Sequence, residues 1–173
     1  MTVQIDFLWE DWADQSLGLP SYETAGAAGA DVRANLEDRG AITLAPMQRA
    51  LIPTGLRMAI PAGYEVQIRP RSGLALKHGI TLVNTPGTID SDYRGPLGII
   101  VINLGDADFA ITHGMRIAQM IVAPVVQARF AVTASLDDTA RSAHNDHAKG
   151  EDKERAEAGA AVPGHPYRPE CWP

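Results

Sequence analysis

The sequence predicts an all-β fold, and three observations predict it. Short strand-like runs follow one another closely at residues 31–34, 41–44, 49–52, 56–60 and 64–68. Turn formers punctuate them at Pro46, Pro53, Gly55, Pro61 and Gly63. One stretch, residues 72–78, reads as a helix, of about two turns. Many short strands with such turns make a sandwich or barrel, whereas βαβ units would alternate strands with longer helices.

The elements run in order as follows. Val3, Ile5 and Phe7 alternate, so a strand opens the chain. An acidic, tryptophan-containing link then leads to Pro20-Ser21-Tyr22. The five runs named above follow, then the short helix, then the apolar strand Gly79-Ile80-Thr81-Leu82-Val83. At residues 85–88, Pro86 suits position i+1 and Gly87 position i+2 of a type II turn. Strands resume at 98–103, 108–112 and 115–123, and the β region ends near 125–129. No internal repeat of useful period is present.

Bulk properties narrow the function classes. The chain has 173 residues, within the range of one domain, and its 45% hydrophobic content is ordinary for a globular protein. No run of about 18 apolar residues occurs, so no membrane-spanning helix and no membrane partner are expected. The start, Met1-Thr2-Val3-Gln4-Ile5-Asp6, lacks the basic and apolar regions of a signal peptide. The single cysteine, Cys171, has no internal disulfide partner, which suits a reducing, cytoplasmic setting. A net charge of −6 argues against sequence-independent binding to nucleic acid. A nucleotide ligand remains compatible, because a few local bases suffice to hold a triphosphate.

The densest chemistry lies in Asn84-Thr85-Pro86-Gly87-Thr88-Ile89-Asp90-Ser91-Asp92-Tyr93-Arg94-Gly95. Two acids, a ring and a base follow a turn between two apolar runs. A carboxylate and a flat ring brought into one concave space suit a small polar ligand with a flat part. Taken singly, Asp90 is an ordinary solvated turn acid and Tyr93 an ordinary core tyrosine. His144, Asp146 and His147 have conceivable metal spacing, but a solvated polar tail explains them without further ligands.

The segment 84–95 resembles the third motif of the trimeric all-β dUTP diphosphatases. Three other blocks match that family in order and spacing. Ala25-Gly26-Ala27-Ala28-Gly29-Ala30-Asp31-Val32-Arg33-Ala34 resembles its first motif. Arg69-Pro70-Arg71-Ser72-Gly73-Leu74-Ala75-Leu76-Lys77-His78-Gly79-Ile80 resembles its second. Gly114-Met115-Arg116-Ile117-Ala118-Gln119-Met120-Ile121 resembles its fourth. The resemblance covers residues 20–141. It implies a jelly-roll-like distorted β-barrel, a homotrimer with shared sites, and Mg²⁺-dependent hydrolysis of dUTP to dUMP and diphosphate.

The same resemblance assigns roles. Asp90 is the expected general base, because a carboxylate both deprotonates and aims a water. Tyr93 stacks on the deoxyribose and leaves no room for a 2′-hydroxyl. Asn84 reads the uracil edge with a donor and an acceptor, a pattern that cytosine reverses. Backbone around Thr88, Ile89 and Gly98 completes the pocket. Arg71, Ser72 and Gly73 form a phosphate-binding turn, to which a helix opened by Ser72 would add free N–H groups. Gln119 lies near the phosphates, and Arg116 is either structural or in contact with a neighbouring subunit's site. Asp31 is expected to hold Mg²⁺ through a water, since this hard cation keeps several waters when triphosphate oxygens bind it.

The match stops at the C-terminus. The family's fifth motif resembles Arg-Gly-x-Gly-Gly-Phe-Gly-Ser and closes over the site. Here Leu136-Asp137-Asp138-Thr139-Ala140-Arg141 resembles the lead-in, but Ser142-Ala143-His144-Asn145 follows, and no Phe occurs after Phe130. From residue 142 to 173 there is no Leu, Ile, Phe or Met. Such a segment offers too little apolar surface to offset its ordering entropy. The expected organisation is therefore a β domain over 1–141 and a polar, disordered tail over 142–173. The alternative function is a deoxyuridine-nucleotide-binding or regulatory protein with impaired hydrolysis. Deamination of dCTP on a related fold fits less well, because Asn84, Asp90 and Tyr93 together resemble the hydrolase set.

Overall fold

The computed structural model describes residues 2–137 and Thr139. The chain forms two compact units, Met1–Gln127 and Ala128–Pro173. In the second unit, residues 128–137 and 139 form no strand or helix. The expected boundary at 141/142, the tail over 142–173 and the His144–Asp146–His147 group lie outside the described residues.

The first unit is built from antiparallel strands, as the alternating sequence predicts. They are β1 (Asp6–Trp9), β2 (Ala30–Arg33), β3 (Ala41–Leu44), β4 (Arg49–Pro53), β5 (Leu56–Ala59), β6 (Tyr64–Pro70), β7 (Ile80–Leu82), β8 (Gly87–Ile89), β9 (Gly98–Asn103), β10 (Phe109–Thr112) and β11 (Arg116–Pro124). A 3-10 turn spans Gln15–Leu17, and one α-helix, α1, spans Ser72–His78. The sheets have the orders β2-β11-β6-β8, β4-β9-β7, β1-β5 and β10-β3. Among the described residues no helix is long and apolar enough to cross a membrane.

Period-two alternation decides which side chains go inside. In β9, Ile99, Val101 and Asn103 are buried while Ile100 is exposed. In β6, Val66 and Ile68 are buried, and Glu65, Gln67 and Arg69 occupy the other face. Ile52, Ile99, Ile111, Val32, Val66 and Val101 are fully buried, each worth about 1.5–3 kcal/mol of hydrophobic transfer. Asn103, also fully buried, is satisfied: Nδ2 donates to the carbonyls of Leu44 and Ala107, and Oδ1 accepts from Gly105 N.

Several local expectations need correction. β1 begins at Asp6, leaving Val3 and Ile5 outside it, and no strand occupies 125–129. The type II turn at 85–88 does not form. Gly87 lacks the positive φ that position i+2 requires and instead opens β8, paired with Ile68. The backbone ladder with β6 prevails over the local turn preference, and the Thr85–Pro86 peptide is cis. The helix over 72–78 needs no correction: Ser72 opens it, with Arg71, in extended dihedrals, as its N-cap. Gly79 ends that helix in the left-handed region at φ 67°, as a glycine readily does.

Candidate active site

Asn84, Thr88, Ile89, Asp90, Tyr93 and Gly98 line one cavity of about 190 Å³. All six were singled out in the sequence. β8 supplies Thr88 and Ile89, the start of β9 supplies Gly98, and the intervening loop supplies Asp90 and Tyr93. Ile68, Leu82, Leu97 and Ile99 form apolar walls. Sequence reasoning missed two supports of this cavity. Leu97 is anchored because its N–H donates to Leu56 O at 2.7 Å and its carbonyl accepts from Thr54 Oγ1 at 2.7 Å. At Gly87, an added Cβ would lie 3.0 Å from Asn84 Nδ2, so this glycine gives the amide its room. The uracil-reading role expected of Asn84 was the only hint of the second.

The loop carrying the acid and the ring is tied to itself. Tyr93 N donates to Asp90 O at 3.1 Å, which closes a four-residue turn. Arg94 Nη1 donates to the carbonyls of Ser91 at 2.7 Å and Tyr93 at 2.8 Å. Among the described residues neither the Asp90 carboxylate nor the Asn84 amide has a hydrogen-bond or ion-pair partner. Both are exposed. The cavity thus offers an acceptor carboxylate and a donor–acceptor amide to a ligand. Gly98 has a packing reason as well: a Cβ there would lie 2.6 Å from Leu51 Cδ1.

The remaining predicted residues form a second group that does not line this cavity. Asp31 on β2 stands opposite Gln119 on β11. Its carboxylate is 5% exposed as a residue and is held by cations. Arg116 Nη1 donates to Oδ2 at 2.9 Å, Arg71 Nε lies 3.4 Å from Oδ1, and Gln119 Nε2 donates to Oδ1 at 3.3 Å. Arg71 Nη1 also donates to the Arg116 carbonyl at 2.9 Å. Arg116 reaches outward to Glu23 Oε2 at 2.9 Å. Glu23 carries no sequence signal that would have marked it. Gly29 leaves space for Gln119, since a Cβ would lie 3.1 Å from that side chain's own Cβ. Ser72 and Gly73 are exposed at the first turn of α1.

The donor set bears on magnesium. Among the described residues no three His, Cys, Asp or Glu gather into a metal site. A protein cage for Mg²⁺ is therefore not what these residues supply. They fit an ion bound mainly by a ligand's own oxygens, with one hard carboxylate at its edge.

Comparison with known proteins supplies the context. The dUTPase family model matches residues 15–148. The deoxyuridine 5′-triphosphate nucleotidohydrolase of Roseobacter denitrificans is 71% identical over 139 residues, covering 80% of this chain and 91% of that protein. The enzyme of the same name from Dinoroseobacter shibae is 59% identical over 147 residues, covering 83% and 94%. Among solved structures, a point mutant of the phage 80alpha dUTPase superposes with a TM-score of 0.69 at 22% identity, covering 82% of this chain and 95% of that one. A mutant dUTPase from phage phi11 of S. aureus, described with a structural Mg(II) ion, gives 0.65 at 22% identity, covering 80% and 100%. These superpositions show that the fold is the dUTPase jelly-roll type.

Proposed function

This chain belongs to the dUTPase family, and on that premise we propose that it hydrolyses dUTP to dUMP and diphosphate by attack of an Asp90-activated water on the α-phosphorus. One observation carries the proposal. In a chain 71% identical over 139 residues to a deoxyuridine triphosphate nucleotidohydrolase, Asp90 lines a cavity with Asn84 and Tyr93, and its carboxylate is unpaired among the described residues. A carboxylate with no internal partner is free to accept a proton from water and to orient it.

The other residues act on binding. Asn84 pairs with the uracil edge, Tyr93 covers the sugar, and backbone at Thr88, Ile89 and Gly98 walls the base. Arg71, Ser72, Gly73 and Gln119 hold the phosphates. Their group does not share the Asp90 cavity, which supports a homotrimer in which one subunit's phosphate group faces a neighbour's cavity. Exposed Leu51 on β4, Ile100 on β9 and Val83 just after β7 add an apolar surface for such contact. Mg²⁺, bound to the triphosphate, supplies charge neutralisation at the phosphate oxygens. Asp31 is the residue that would hold this ion, through a water, and arriving phosphates would compete with Asp31 for Arg71. The single cysteine of the sequence suits the cytoplasm.

Diphosphate release from dUTP with Mg²⁺, compared with dTTP, dCTP and UTP, tests this reading. Equal rates on all four, or none on dUTP, reject it. Light scattering that finds an active monomer rejects the shared site. A second reading, binding with little turnover, is favoured by the sequence that follows Arg141, which lacks a Gly-Gly-Phe-Gly arm. An open site stays wet, so charges stabilise the transition state less. If that reading holds, deleting 142–173 changes turnover by less than about threefold, roughly 0.65 kcal/mol. Grafting the arm after residue 141 then raises turnover by about tenfold or more. A deletion that abolishes activity shows the tail to be part of the site.

A further inference from the structure

The loop that carries Tyr93 contains an arrangement with no part in the chemistry described above. Tyr93 is 45% exposed, so the core does not hold its ring. Its hydroxyl donates to the carbonyl of Pro96 at 3.1 Å. Between those residues lies Gly95. A Cβ built on Gly95 would collide with the Tyr93 hydroxyl oxygen and lie 2.6 Å from Cζ and 3.0 Å from Cε2. The phenol therefore rests in space that only a glycine leaves open. Beneath it, the Arg94 guanidinium ties the carbonyls of Ser91 and Tyr93 together.

We propose that Gly95, with the Tyr93-to-Pro96 hydrogen bond, is a positioning residue that determines sugar specificity by seating the ring. The inference rests on the reading in which Tyr93 faces the deoxyribose. Its argument is mechanical. A largely apolar wall rejects an added hydroxyl only weakly. Strong rejection of a 2′-hydroxyl needs a ring that cannot yield. A tyrosine so exposed has two side-chain torsions through which to yield. The glycine seat and the carbonyl latch at Pro96 remove that freedom without using the core.

The seat can be tested without breaking the loop. Gly95 has no positive φ, so its backbone accepts alanine. The collision is with the tip of a side chain, so the ring moves and the loop need not. The full chain, its Gly95→Ala variant and its Tyr93→Phe variant are compared by steady-state kinetics on dUTP and UTP and by thermal unfolding. Gly95→Ala is expected to keep its Tm within about 4 °C. It is expected to lose about tenfold or more of the preference for dUTP over UTP, mainly through KM. Tyr93→Phe, which removes the latch and adds no atom, is expected to lose preference in the same direction but by less.

A folded Gly95→Ala protein with the wild-type preference overturns the inference. So does a loss of Tm and kcat together at constant preference, which marks a merely structural glycine. Should Gly95→Ala not fold, an unchanged preference in Tyr93→Phe overturns it. A wild-type protein that does not distinguish dUTP from UTP rejects both the sugar reading and this inference. A clear wild-type preference that survives both substitutions rejects the inference alone.

Discussion

Asp31 lies within β2 and Asp90 directly after β8, and their surroundings are opposite. Asp31 is buried and receives Arg116, Arg71 and Gln119. Asp90 is exposed, lines a cavity, and has no partner among the described residues. An engaged carboxylate organises its neighbours, because moving it would take one ion pair from Arg71 and one from Arg116. An unengaged carboxylate contributes little to the fold and is available to a water. The difference separates the residue that holds the site from the one we propose acts in it.

The largest expected effect lies at Asp90. Asp90→Asn should lower dUTP turnover by at least the ~100-fold typical of a lost general base. Nucleotide affinity should stay within about tenfold, and stability within about 0.5 kcal/mol, as for a surface site without contacts. Near-normal turnover in that variant breaks the comparison. Asp31→Asn should do the reverse to stability and lower it by about 1.5–3 kcal/mol, the scale of hydrogen bonds to charged groups. Urea unfolding measures it, and an unchanged midpoint would mean that the two arginines do not depend on Asp31.

The smallest effect sharpens the contrast with a third aspartate. Asp14 is engaged, by the Ser16 hydroxyl first and then by His113, and its carboxyl is held down to about 2 from 3.8. A depressed carboxyl contributes stability above its unfolded value, and that contribution is lost as pH falls toward the folded one. Between pH 3.8 and about 2, the Tm of the wild type should therefore fall more steeply than that of Asp14→Asn. Parallel curves across that window would show that Asp14 is no better engaged than Asp90.

Much of the cavity was legible in the sequence because it is local. Asn84, Thr88, Ile89, Asp90, Tyr93 and Gly98 fall within fifteen consecutive residues, and the cavity contains all six. The helix over 72–78 and the strand over 98–103 were legible for the same reason, through their own periodicity. The turn at 85–88 was misread because a proline–glycine pair reports local preference only. The ladder between β8 and β6 overrode it.

The sequence by itself determined the all-β class, the alternation that chooses the core, and the contiguous segment that supplies most of the cavity lining. Only the tertiary structure decided that Asp31 would be clamped by Arg116, 85 residues away, with Glu23 as that arginine's outer partner. The physical reason is range. Dihedral preference and period-two burial act between neighbours in the chain, so they can be read along it. Ion pairing and close packing depend on which strands meet and in what register, as with Asp31 opposite Gln119, and that is settled only when the sheet forms.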